Sequence, residues 1–101
     1  MAFDLRGALI RKAEYETAKL LDFEFRLRAR TARAVAQALG LDQQAVIDRL
    51  ATHDHDAMIA ALAADTGRDP ADIQHRWWRC EAGLRPVLVA ELGDPTPHRM
   101  A

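Results

Sequence analysis

The chain has a single cysteine, no proline before Pro70, only two Trp, one Tyr and three Phe, and no long apolar run. Each shortage excludes something. Cys80 alone cannot close an internal disulfide, so a cross-linked small scaffold is excluded and a reducing, cytoplasmic setting is expected. No stretch approaches the ~20 apolar residues that cross a bilayer as a helix, so membrane insertion is not expected. No segment alternates with period two and β-branched residues are sparse, which argues against strands. Neither sign of charge dominates: 14 basic and 15 acidic side chains leave a net charge of −1. Nothing global therefore draws the chain to nucleic acid or to an anionic membrane. Asp4 precedes any apolar block, so the opening residues do not read as a signal peptide. There is no glycine-rich loop to cradle phosphate, and Cys80, with histidines near it in sequence, sits on the buried stripe where a thiol is usually inert, so neither an enzyme nor a cofactor is expected.

What the sequence does have is alanine-rich helical patterning. Half of its 101 residues are hydrophobic, and alanine supplies much of that half, which suits closely packed helices. The length fits one domain near the small end of what sustains a core. Residues 31–51 read as helix, tight turn, helix. Val35, Ala36 and Leu39 run at helical spacing into Gly40, which can close a helix in the left-handed conformation. Asp42 stands where an N-cap belongs, and Val46, Ile47 and Leu50 resume the apolar face. The same grammar returns 27 positions later, with Ala63, Gly67, Asp69, Ile73 and Trp77 in the places of Ala36, Gly40, Asp42, Val46 and Leu50. The pattern predicts an all-α fold, a four-helix bundle of stacked helical hairpins with an extended N-terminal helical segment.

Taken in order, Asp4 is the N-cap of a first helix carrying Leu5, Leu9 and Ala13, weakened near its start by Gly7. Residues 1–19 are expected to be a helical, partly disordered segment, residues 20–92 the bundle, and residues 93–101 a disordered, proline-punctuated tail. Helix could run to Leu39, roughly 50 Å at 1.5 Å per residue, and a break at Asp22 is expected. The buried stripe reads Leu21, Phe25, Ala29, Ala32, Ala36 and Leu39, widened by Leu20, Phe23, Leu27, Ala34 and Ala38. Asp22–Arg26 and Glu24–Arg28 are i,i+4 pairs in the favourable orientation. Asp54 or Asp56 caps a helix carrying Met58, Ile59, Leu62 and Ala63 that stops at Gly67. Asp69-Pro70 starts the last helix, whose inner face is Ile73, Trp77, Cys80 and Leu84. Gly83 and Pro86 are expected to end or kink it, with residues 87–92 adding a turn or two.

Four features carry candidate chemistry. Residues 31–50 match the spacing of a DNA-binding helix-turn-helix, and Gln43 and Gln44 could read adenine edges. The would-be recognition helix offers two aspartates and one arginine to a polyanion, which disfavours nucleic acid as a partner. An ordinary helical hairpin needs the same residues. His53, Asp54, His55 and Asp56 are ligand types, but adjacent residues rarely face one ion and no further His or Cys falls at zinc spacing, so no metal site is expected. Arg26, Arg30 and Arg33 share a helix face, either solvated or a docking surface for an acidic partner. Trp77 lies on the apolar stripe, which leaves Trp78 at its flank.

Several short pieces carry a family resemblance. Phe3-Asp4-Leu5-Arg6 resembles an FDDR start. Tyr15-Glu16 with Asp22 and Glu24 resembles an FE…D-x-E segment. Residues 25–30 resemble an FK/R-x-x-AR stretch, and Leu39-Gly40-Leu41 an LGL. Asp56, Asp65, Gly67, Asp72-Ile73 and Trp77 resemble a D…D…G…I-R-R-x-M tail. Over residues 3–85 the chain is similar to the bacterial zeta-type inhibitor subunit of F-type ATP synthase. The similarity implies a four-helix bundle that binds the catalytic head and blocks ATP hydrolysis while sparing synthesis. Its N-terminal segment, partly disordered when free, would insert at an interface between alpha and beta subunits. The expected partner-binding residues here are Phe3, Asp4, Arg6, Ile10, Arg11, Tyr15, Arg26, Arg30 and Arg33. The family's run of charges after FDDR is replaced by Gly7-Ala8-Leu9-Ile10. A diverged bundle without inhibitory activity and a helix-turn-helix nucleic-acid binder are the alternatives.

Overall fold

The glycine stops at 40 and 67 and the aspartate starts at 4, 42, 54 and 69 are all helix boundaries in the computed structural model, which describes residues 4–95. Asp4 accepts from the Gly7 N–H at 2.9 Å, Asp42 from Gln44 at 3.0 Å, Asp54 from Ala57 at 2.8 Å and Asp69 from Ala71 at 2.8 Å. Each carboxylate satisfies N–H groups that a helix start leaves unpaired, at about 1 kcal/mol per cap. Gly40 and Gly67 adopt φ of 71° and 65°, where a side chain would be strained. Beyond each glycine, the Leu41 and Arg68 N–H groups reach back to the Ala36 and Ala63 carbonyls.

These boundaries delimit α1 (Leu5–Leu39), α2 (Gln43–Asp48), a 3-10 turn (Arg49–Ala51), α3 (His55–Thr66) and α4 (Pro70–Leu92). The fold is all-α, with no strand among the described residues. α1 packs against α2 and α4, and α3 against α4. The main core joins Ala32, Val35 and Ala36 of α1 to Val46, Leu50, Met58, Ile59, Leu62, Ala63, Ile73 and Trp77. The sequence repeat is a structural one: Ala36 and Ala63, Val46 and Ile73, and Leu50 and Trp77 are all buried in this core. A smaller cluster of Phe23, Leu27 and Leu88, flanked by Leu84 and Val89, ties the C-terminal half of α4 to the middle of α1.

Four expectations are corrected. α1 does not break at Asp22. It is one helix of 35 residues, about 52 Å long at 1.5 Å per residue, and Asp22 pairs with Arg26 on its surface at 2.9 Å. The buried face of α1 is Phe23, Leu27, Thr31, Ala32, Val35 and Ala36, whereas Leu21 and Phe25 are 64% and 59% exposed. The reason is the shortness of α2 and α3. The connection between them sits level with Arg28, whose guanidinium donates to the His53 carbonyl at 2.6 Å, and below it only α4 runs beside α1, on the Phe23–Leu27 side. Glu24 does not pair with Arg28. It accepts two hydrogen bonds from Arg85 of α4, at 2.8 and 3.2 Å. Finally, α4 continues through Gly83 and Pro86 to Leu92. Pro86 and Ala82, whose carbonyl loses its i+4 donor, are both exposed. Water can satisfy that carbonyl while Leu84, Leu88 and Val89 hold the helix against α1.

The lower half of α1 therefore extends past the bundle. The radius of gyration is 17.7 Å and the extents are 64 × 26 × 22 Å, against about 13 Å for a compact domain of this length. The Gly93 N–H closes α4 on Val89 at 2.8 Å, and buried Pro95 lies beside Lys19, Asp22, Phe23 and Arg26. The rest of the expected disordered tail lies outside the described residues. Among the described residues, no helix is long and apolar enough to cross a membrane.

Candidate functional site

Two apolar seams run down α1, and each is covered only in its upper part. The first is the one that α4 covers at Phe23 and Leu27. At steps of three, four or seven it continues through Leu20, Ala13, Leu9 and Leu5, all exposed. The second enters the main core around Ala32 and Ala36, where α2 packs on α1. It continues past Arg28 through Phe25, Leu21 and Ile10, the last 51% exposed. Residues 5–22 thus form an arm, a helix propagated from a packed bundle whose apolar side chains are left exposed.

Where the second seam leaves the bundle there is a cleft of about 330 Å³, lined by Leu21, Phe25 and Leu27 of α1, His55 of α3 and Trp77 and Glu81 of α4, with Glu24 and Arg28 at its rim. Arg85 braces this end. It bonds Glu24, approaches Glu81 at 3.2 Å and lies 5.9 Å from the centre of the Phe23 ring. The hydrogen bond to Glu24 is the main cause that raises its pKa above the ordinary guanidinium value. A second tie, Arg30 to Glu91 at 2.5 Å, holds the Glu91 carboxyl below the usual carboxylate range, chiefly by that hydrogen bond.

The sequence-predicted docking residues divide between arm and bundle. Phe3 lies outside the described residues. Asp4 caps α1, and Arg6, Ile10, Arg11 and Tyr15 are exposed along the arm. Arg26 and Arg30 are engaged with Asp22 and Glu91, so the arginine face is partly neutralised within the chain. Arg33 has no ion pair among the described residues and stands exposed beside the Arg30 site. The arm's Leu5, Leu9 and Leu21, and Phe25 just above it, were not among the predicted docking residues. Their spacing marks them as apolar seams, but spacing alone does not say whether the cover is inside or outside the chain.

The other candidates have local partners. His53 meets Thr52 at 2.9 Å and His55 meets Gln74 at 2.7 Å, Asp54 caps α3, and no three metal-capable side chains converge among the described residues. In the helix-turn-helix segment α2 has six residues, and Gln44 donates to Asp48 at 2.8 Å. Trp77 is core and Trp78 is 62% exposed. Cys80 is half-buried against the core. Compared with family models, curated proteins and solved structures, the chain finds no match.

Proposed function

We propose that the chain is a non-enzymatic protein-binding regulator that grips its target with residues 5–22 of α1. The observation that carries this reading is the pair of apolar seams that leave the bundle uncovered while the helix itself continues. An exposed helix with apolar residues at i, i+3, i+4 and i+7 is what a groove on another protein accepts. The arm's Leu5, Leu9, Ile10, Leu20 and Leu21 supply the anchors, and Arg6, Arg11 and Lys12 supply cations to steer an acidic rim.

The particular target is the catalytic head of F-type ATP synthase in the cytoplasm, with the arm entering between alpha and beta subunits to block hydrolysis. That target rests on the similarity of residues 3–6, 15–30 and 39–41 to the zeta-type inhibitor. The test is ATP hydrolysis by an isolated catalytic head titrated with the full chain and with a chain lacking residues 1–19. Inhibition that disappears with the arm supports the reading. Full hydrolysis at saturating chain, with no retention of the head on the immobilised protein, removes the target.

A further inference from the structure

The charges on the arm are sorted along its length. Residues 5–12 carry Arg6, Arg11 and Lys12 and no acid, while residues 14–22 carry Glu14, Glu16 and Asp22 against Lys19 alone. Both stretches are on one unbroken helix, and the apolar anchors sit at its two ends, with Leu5, Leu9 and Ile10 in one and Leu20 and Leu21 in the other. From this we infer that the arm's resting partner is a second copy of the chain, paired antiparallel about an axis near residues 13–15. This rests on the reading of the arm as a docking element.

The direction follows from the charges. Parallel pairing sets three cations against three cations and acids against acids, and like charges at a helix seam disfavour that arrangement. Antiparallel pairing sets the basic half of each arm against the acidic half of the other. It also brings Leu9 and Ile10 of one copy to Leu20 and Leu21 of its mate. The shape permits it. The arm is about 27 Å long at 1.5 Å per residue; buried core packing starts at Phe23, and Pro95 reaches Lys19 on one side only, so each bundle lies at the end of the other arm. The interface is isologous, and only residues near the two-fold axis meet their own copies.

The experiment is sedimentation equilibrium of the full chain at low and high salt, with cysteine cross-linking in a Cys80→Ser background. A dimer that weakens with salt is expected. Ala13→Cys should cross-link to itself under mild oxidation, and Leu5→Cys, at the arm's end, should not. Reversing the basic half (Arg6→Glu, Arg11→Glu and Lys12→Glu together) should weaken self-association roughly tenfold or more, as should Glu16→Lys with Asp22→Lys. Mixing the two variants should restore a one-to-one dimer. All five side chains are solvent-accessible on a helix surface, and circular dichroism checks that each variant stays folded. A monomer up to about 1 mM at low salt, or self-cross-linking at Leu5→Cys equal to that at Ala13→Cys, overturns the proposal. The outcome is separate from the hydrolysis test. A monomer that still inhibits refutes only the pairing, and a dimer that leaves hydrolysis untouched refutes only the target.

Discussion

The two halves of α1 are the same kind of helix in opposite circumstances. Residues 23–39 bury Phe23, Leu27, Ala32, Val35 and Ala36 in the two core clusters of the bundle. Residues 5–22 bury no large side chain, and their helix is held by the Asp4 cap, a weak Lys12–Glu16 pair at 4.0 Å and propagation from the bundle. Most helical stability in proteins comes from packing one face, and propagation from a formed helix avoids the cost of nucleation. The arm is therefore the end of the molecule that opens most readily, and the bundle the part whose opening is global unfolding.

The strongest way to break that contrast is to truncate one apolar residue in each half of the molecule. Leu62→Ala, at a fully buried site in the main core, should cost about 2–5 kcal/mol. Leu9→Ala, 57% exposed on the arm, should stay within about 0.5 kcal/mol. Urea midpoints for the two variants check this, and a comparable loss at Leu9 would mean that the arm is covered in solution. Such a loss appearing only at high protein concentration would place the cover in a second copy.

The caps sharpen the same contrast at smaller cost. Asp69→Ala removes the carboxylate that receives the Ala71 N–H at the start of α4 and should lower global stability by about 1 kcal/mol. Asp4→Ala removes a cap of the same chemistry at 2.9 Å, but at the end of an arm that can fray without unfolding anything else. Its effect should show as faster amide exchange in residues 5–12 and not as a shift of the urea midpoint. Phe25→Ser comes next. At 59% exposed on the uncovered seam, it should shift the midpoint of the free chain by no more than about 0.5 kcal/mol, while weakening whatever docking uses the cleft.

What was legible in the sequence divides along the same line. Gly40, Gly67, Asp42 and Asp69 act through the backbone within a few residues, so their signals survive any tertiary arrangement, and the repeat they frame could be read directly. The buried face of α1 could not. Leu21 and Phe25 keep helical register with Ala32 and Ala36, and only the level at which the His53–His55 connection stops decides that two are core and two are surface. Glu24 had an apt partner in Arg28 one turn away, but tertiary packing placed Arg85 closer and gave Arg28 the His53 carbonyl. Pro86 signals a helix end locally, and its cost is outweighed by Leu84, Leu88 and Val89 on α1. The arm's exposed seams were visible as apolar periodicity. Their lack of cover is a property of chain length elsewhere, since α2 and α3 have six and twelve residues and do not reach them.

The smallest expected effect concerns the contact between the packed half of α1 and the end of α4, where Glu91 meets Arg30. The hydrogen bond from Arg30 holds the Glu91 carboxyl below its ordinary range, and the same bond raises Arg30. A carboxyl whose pKa is lower folded than unfolded adds stability above the unfolded value and loses it as pH falls through the folded one. Wild type should therefore exceed Glu91→Gln slightly at neutral pH, and the two should converge as the solution is acidified below the carboxylate range. Both side chains are well exposed, at 40% and 48%, so the difference is screened and should shrink with added salt. Asp72 is the internal control. It too is held low, by Arg76 first, but its partners Arg76 and Arg68 lie one helical turn on either side of it and not across the α1–α4 contact. Glu91→Gln should thus speed amide exchange in the last turns of α4 at neutral pH, and Asp72→Asn should not. Equal protection in the two variants would mean that the Arg30–Glu91 contact contributes nothing to holding the end of α4 on α1, and that Phe23, Leu27 and Leu88 hold it alone.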